Sequence, residues 1–166
     1  LISVSQLWDK STSRYEDALK LAQKLPNGYK LLIIGNVPQG LHVDSLIMHI
    51  PYLSSQEELA VAYSMAEAYV HFSTQDTFGL VIAEAMSCGT RCLVSDIPEN
   101  TSVTLEFGDT FKCSDVSDLR NNLICILDED GDYTKKEEQI AYIKENYSYE
   151  RVVKETKAVY KAVLNS

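Results

Sequence analysis

Hydrophobic and polar positions follow two alternating rhythms along this chain. Leu1 to Gln6 is short and partly alternating and runs into the polar stretch Asp9 to Arg14, which predicts a strand entering a loop. From Ser13, a candidate N-cap, to Leu25, the residues Tyr15, Ala18, Leu19, Ala22 and Leu25 fall at helical spacing, and Pro26-Asn27-Gly28 stops the run. Lys30 to Ile34 is almost continuously apolar and closes on Gly35-Asn36, the pattern of a strand buried on both faces. The sequence then repeats this grammar. Leu46 to Tyr52 predicts a weaker strand, and Ser54 or Ser55 caps a helix through Met65 with Glu57 or Glu58 in its first turn. Ala68 to Phe72 is a further buried strand, and after the polar loop Ser73 to Thr77 a helix is expected from Phe78 to Ser87, closed by Cys88-Gly89. Arg91 to Ser95 is the next strand, Pro98-Glu99-Asn100 turns the chain, and a short strand lies around Thr110 to Lys112. Helices are expected over Val116–Leu127, Lys135–Asn146 and, capped by Ser148, from Tyr149 to about Leu164, with Asp128 to Asp132 as a polar linker.

Strands alternating with helices, joined by connections long enough to cross over a sheet, predict an α/β protein. The expected form is a Rossmann-like three-layer α/β/α arrangement with a mainly parallel sheet. Ligands of such sheets bind at the carboxyl ends of the strands, which directs attention to the loops after Gln6, Ile34, Tyr52, Phe72 and Ser95. One domain is expected over residues 1–166, with 147–166 as a terminal helix. The chain opens on Leu1-Ile2-Ser3-Val4, directly in a strand and without Met, so the expectation is a piece of a longer protein whose amino-terminal domain is missing here.

Charge narrows the function classes. A net charge of −9 argues against a broad basic surface gripping nucleic acid or anionic lipid. Cys88, Cys92, Cys113 and Cys125 follow no paired metal spacing, and with only His42, His49 and His71 beside them neither a structural zinc site nor a disulfide framework is expected. Reduced thiols are the simpler reading. No apolar run reaches 18 residues and no basic leader precedes an apolar stretch.

The informative chemistry lies between Ser73 and Asp96. Thr77 is placed to cap the following helix, whose first free amides are those of Phe78, Gly79 and Leu80, and Gly79 leaves the backbone open to close approach. A phosphate there meets unpaired N–H groups and the positive helix end; the plainer alternative is an ordinary capped helix. Glu84 interrupts an apolar helix, so it either faces solvent or stands at the rim of a pocket, where its two oxygens suit a vicinal diol such as ribose. Asp76, eight residues earlier, either caps the helix or accepts bonds from sugar hydroxyls in the same cleft. His71 reads as a core or rim histidine bonded to backbone, with substrate contact as the alternative, and Trp8 as a hydrophobic plug rather than a base-stacking platform. Cys88 adjoins a helix end, where nothing favours a thiolate, and no serine sits in a nucleophile elbow. Gly35 to Gly40 lacks the Lys-Ser/Thr of a phosphate-binding ATPase loop.

The run Ser73-Thr74-Gln75-Asp76-Thr77-Phe78-Gly79-Leu80-Val81-Ile82-Ala83-Glu84-Ala85-Met86-Ser87-Cys88-Gly89-Thr90 resembles the carboxyl-terminal domain of the retaining nucleotide-sugar glycosyltransferases of GT-B architecture, family four. That family carries a Glu, seven residues and a second Glu, with Phe-Gly-Leu and Glu-Ala-Met inside. The likeness extends to Leu1–Gln6 as first strand, Leu31–Gly35 as strand and glycine, Glu58–Phe72, and Tyr147-Ser148-Tyr149 opening the terminal helix. It implies that Glu84 binds the ribose, that Gly79 and Leu80 give backbone donors to the diphosphate, and that Asp76, on the first Glu of the motif, is the catalytic-site acid contacting the donor sugar. Gly35 joins the donor-contact positions, and Ile50-Pro51-Tyr52 matches the segment passing near the base. The family's Gly-Arg pair is Ser5-Gln6 here, and its Lys-Gly pair is absent from Lys10-Ser11-Thr12-Ser13-Arg14. Gln6 is a neutral donor where a cation is expected, and Lys10 or Arg14 is either a substitute cation or a solvated surface charge.

The resemblance implies transfer of a hexose from a UDP- or GDP-sugar to a glycan or lipid-linked acceptor, with no metal and no cofactor beyond the donor. It implies work with the amino-terminal domain in the cytoplasm, at the inner membrane face in the full-length protein, and no nucleic acid partner. The alternatives are a catalytically degenerate domain that binds nucleotide or serves as an interaction module, and an unrelated mononucleotide-binding module.

Overall fold

A computed structural model describes residues 1–9, 14–128 and 135–164. Along the chain come β1 (Ile2–Leu7), α1 (Tyr15–Ala22), β2 (Leu31–Asn36), β3 (Ile47–Ile50), α2 (Gln56–Ser64), β4 (Ala68–His71), α3 (Leu80–Ser87) and β5 (Arg91–Ser95). They are followed by α4 (Pro98–Thr104), a 3-10 turn at Leu105–Phe107, β6 (Asp109–Phe111), α5 (Val116–Asp128), α6 (Lys136–Tyr147) and α7 (Tyr149–Leu164). The strands form one sheet in the order β3-β2-β1-β4-β5-β6, and every pairing is parallel. This is the Rossmann-like α/β arrangement that the alternating pattern predicts.

Each central strand is buried on both faces because its alternate side chains enter two separate cores. On β4, Ala68 and Val70 join Leu31, Ile33, Leu93, Leu119 and Leu123 under α1 and α5, while Tyr69 turns to the other side with Ile34, Tyr63, Ile82, Met86 and Val94. Burial of this kind stabilises by about 1.5–3 kcal/mol per large apolar side chain, which outweighs the weak helix propensity of the short segments on either face.

Several boundaries move. The first helix ends at Ala22 rather than Leu25, and its N-cap is Arg14, which adopts a left-handed φ of 56°; Ser13 lies outside the described residues. The predicted turn at Pro98-Glu99-Asn100 is in fact the start of α4. Pro98 suits the first helical turn, where its missing N–H costs nothing, and Val103 and Asn100 are fully buried, so packing overrides the poor helix formers Thr101, Ser102 and Thr104. The linker after Asp128 falls largely on residues 129–134, outside the described ones. Ser55 caps α2, accepting from the Glu58 amide at 3.3 Å, and Ser148 accepts from the Arg151 amide at 3.3 Å. α7 keeps no residue buried.

Candidate functional site

Between β1 and β4 the order of connection reverses, so the loops leaving these two strands diverge at their carboxyl ends. A cleft of about 160 Å³ opens there, and Gln6, Trp8, His71, Ser73, Asp76 and Val81 line it. Trp8 is the plug expected of it, buried with its Nε1 donating to the Ile34 carbonyl at 3.0 Å and its edge against Phe72. Gln6 is exposed and reaches the cleft. Gly35 stands on β2 with φ 139°, and a Cβ on it would collide with the Ser5 carbonyl, so its glycine lets β2 approach the end of β1 that carries Gln6. The Gly35 carbonyl pairs with His49 Nε2 at 2.8 Å.

The loop from β4 to α3 is built around Asp76. Thr77 is not the helix cap: α3 starts two residues later than predicted, at Leu80, behind Gly79 in a left-handed φ of 72°. Asp76 does the capping instead, its Oδ1 accepting from the amides of Thr77 at 2.8 Å, Phe78 at 3.3 Å and Gly79 at 3.0 Å. The short Asp side chain folds back on its own loop where a free oxygen would point outward. Its Oδ2 meets His71 Nε2 at 3.1 Å, and Nδ1 of the same ring meets the Tyr69 hydroxyl at 2.8 Å. His71 therefore bonds side chains, not the backbone expected from its strand position. The His71 bond, with the loop amides, holds the Asp76 carboxyl well below the usual carboxylate range, so Asp76 is an ionised acceptor. With Gly79 taken, Leu80 and Val81 carry the orphan N–H groups of the first turn.

Two further supports pin this loop. Ser95 Oγ donates to the Ser73 carbonyl and itself accepts from buried Asn100 Nδ2 at 2.8 Å. Phe78 packs edge-on against Tyr147 at 5.3 Å between ring centroids.

Glu84 faces a different space. It is exposed, and it lines a second cavity of about 270 Å³ with Gln56, Leu59, Ala60, Tyr63 and Ser87, between α2 and α3. The Tyr63 hydroxyl donates to Glu84 Oε2 at 3.5 Å. Partial desolvation raises the Glu84 carboxyl, and the Tyr63 bond opposes that shift. Asp76 and Gln6 thus share one cleft, Gly79 and Leu80 form the ridge beside it, and Glu84 belongs to the cavity one helical turn further on. Arg14 is committed to an ion pair, its Nε 2.6 Å from Asp17 Oδ2. Lys10 lies outside the described residues. Pro51 is exposed just beyond the edge strand β3. Among the described residues no group of three or more His, Cys, Asp or Glu comes together to hold a metal ion.

This geometry coincides with a known family. The family model of the glycosyl transferases group 1 matches residues 2–147. The chain belongs to this family. Among curated proteins, the N-acetyl-alpha-D-glucosaminyl L-malate synthase of Bacillus anthracis is 26% identical over 182 residues, covering 99% of this chain and 45% of that protein. Among solved structures, sucrose-phosphate synthase from Thermosynechococcus elongatus superposes with a TM-score of 0.82 at 21% identity, over 99% of this chain and 45% of that one. HepE of Anabaena in complex with UDP-glucose gives 0.77 at 13% identity, over 99% of this chain and 48% of that one. The chain spans less than half the length of these relatives. As a group 1 member it is a glycosyltransferase domain of GT-B type.

Within this group 1 site, sequence reasoning missed Tyr63, Tyr69 and Asn100. For Tyr69 the signal was present, since residues 69 and 71 lie two apart on a strand and share a face. Tyr63 and Asn100 meet the site across the fold, from α2 and α4, and no local pattern marks them.

Proposed function

We propose that this chain is the donor-binding, carboxyl-terminal half of a retaining glycosyltransferase that uses a UDP- or GDP-hexose. One observation carries the reading: a cleft with Gln6, Asp76 and Val81 opens at the start of α3, where the amides of Leu80 and Val81 are orphaned, and a second cavity, with Glu84, Ser87 and Cys88, follows along the second half of the same helix against α2. Leu80 and Glu84 are four residues, about 6 Å, apart along the helix, a spacing that a diphosphate bridges. The sugar occupies the β1–β4 cleft, where Asp76 Oδ2 accepts from a hydroxyl. The diphosphate sits on the helix start, where the amides and the positive end of α3 meet the charge that grows as the sugar departs. The ribose diol pairs with Glu84, whose exposed oxygens accept both hydroxyls.

Transfer needs an acceptor hydroxyl held against the sugar. In this reading an amino-terminal half of the parent protein supplies that second wall and a glycan or lipid-linked acceptor. Among the described residues lining the cleft the one carboxylate is that of Asp76, bonded through both oxygens. The family resemblance implies that the departing phosphate takes the acceptor proton.

A second reading, a domain that binds donor without turnover, is favoured by a specific feature. Among the described residues lining the cleft there is no Lys or Arg, and Gln6 stands where the resemblance implies a cation. Calorimetric titration with UDP, GDP and ADP tests donor binding. One of them is expected to bind saturably, and Glu84→Ala to weaken it by roughly 10- to 100-fold through loss of a charged acceptor. Unchanged affinity in Glu84→Ala would remove Glu84 from the site. Turnover of the matching labelled nucleotide sugar by the intact parent separates enzyme from silent binder.

A further inference from the structure

The strand residue His71 is buried at 6% exposure, yet it is a polar side chain on a strand where an apolar one would fill the same space. Its ring is spoken for at both nitrogens. Tyr69 is fully buried, and among the described residues its hydroxyl proton has no acceptor other than His71 Nδ1. Burial also keeps that phenol protonated, since it pushes the Tyr69 hydroxyl far above its ordinary range. Nδ1 is therefore the acceptor and Nε2 carries the hydrogen, which it donates to Asp76 Oδ2 at 3.1 Å.

Asp76 in turn is the keystone of the loop. Three successive amides converge on its Oδ1, and among the described residues only the His71 bond holds Oδ2. Without that bond the carboxylate gains freedom about its side-chain torsions, and the three amides lose a fixed acceptor. A loosened carboxylate also swings its negative charge toward the space in front of Leu80 and Val81, where a phosphate would bind.

We propose that His71 is a positioning residue of the donor site: clamped between Tyr69 and Asp76, it locks the Asp76 carboxylate onto the Thr77–Gly79 amides and so keeps the Leu80 and Val81 N–H groups open to a diphosphate. The inference rests on the donor-binding reading above. It assigns His71 no contact with the sugar and no proton transfer; it acts through Asp76.

The test compares His71→Phe, which keeps the ring and removes both nitrogens, with His71→Gln, whose side-chain amide restores a donor near the Nε2 position. Amide hydrogen exchange on the ligand-free chain reads the clamp, and calorimetry with UDP, GDP and ADP and their monophosphates reads its consequence. The expected result in His71→Phe is faster exchange confined to Thr77, Phe78 and Gly79, with diphosphate affinity lower by roughly tenfold and monophosphate affinity changed less. His71→Gln should recover most of both, and Asp76→Asn added to His71→Phe should cost little more, because the two act as one unit. Should His71→Phe fail to fold, Tyr69→Phe, which removes only the hydroxyl behind the ring, is expected to loosen the same three amides. Unchanged exchange in those variants, or an equal loss for mono- and diphosphates, would overturn the positioning role. Absence of nucleotide binding by the unaltered chain would overturn the donor-binding reading and this role with it, even where exchange shows the clamp to exist.

Discussion

At the scale of single residues, the site is governed by where hydrogen bonds are already spent. Asp76 has the spacing of a sugar-binding acid, and it is also bonded to three loop amides and to His71. These bonds fix its charge state and give it a measurable signature. The ordinary carboxyl value is 3.8 and the folded chain holds Asp76 lower, so the unfolded chain takes up this proton first as pH falls. The stabilisation is complete above the ordinary value and drains away below it as the folded group protonates. Its size is about 1 kcal/mol once partial exposure is discounted. Urea denaturation at pH 7 and near pH 3 should therefore show Asp76→Asn less stable than the unaltered chain at pH 7, with the gap narrowing at the lower pH. A constant gap would mean that the carboxylate charge contributes nothing to holding the loop. Arg14 shows the same economy of partners. It sits in a left-handed conformation that suits glycine, at the place where the resembling family has its Lys-Gly pair, and its cation is tied to Asp17.

At the scale of elements, the parallel strands were legible because burial on both faces leaves near-continuous apolar runs such as Leu31–Ile34 and Ala68–Phe72. The start of α3 was not. Thr77 satisfies the rule for a cap, but the chain enters the helix only after Gly79, and the acceptor comes from Asp76 further back. Such a choice depends on His71 and Asn100 holding the loop from outside, which local sequence does not record. α4 stayed hidden for the converse reason: Pro98-Glu99-Asn100 has turn composition, and its helix exists because Val103 enters the core shared with Tyr69 and buried Asn100 bonds Ser95. The far end of α3 is tied to α6 by Gln139, fully buried, whose Nε2 donates to the carbonyls of Met86 at 2.8 Å and Thr90 at 3.2 Å. Met86 lies in the last turn of α3, where its carbonyl also accepts from the Gly89 amide at 3.0 Å, and Thr90 leads into β5. Replacing Gln139 by Leu should destabilise the chain by about 1–3 kcal/mol in chemical denaturation, as buried acceptors lose their donor. Nucleotide affinity under native conditions should stay within a few-fold, because the start of α3 is anchored independently through Asp76. A large loss of affinity with little loss of stability would show that α6 sets the geometry of the site.

At the scale of the whole molecule, the sheet order places the cleft at the start of α3, and the Glu84 cavity follows along the second half of the same helix. The chain carries a net charge of −9, and the described cleft lining has no Lys or Arg, so an anionic donor has to be drawn by backbone amides and the end of α3. The relatives named above are more than twice as long as this chain. The central claim is that one donor molecule lies across both cavities. Amide chemical shifts of the isotopically labelled chain, followed through titrations with UDP, GDP and ADP, read it directly. For the nucleotide that binds, shifts are expected at Leu80 and Val81, at Gln6 and along Gln56 to Ala60, all saturating with one affinity. Shifts confined to one cavity, or two sets saturating at different concentrations, would contradict a single donor site spanning the start of α3.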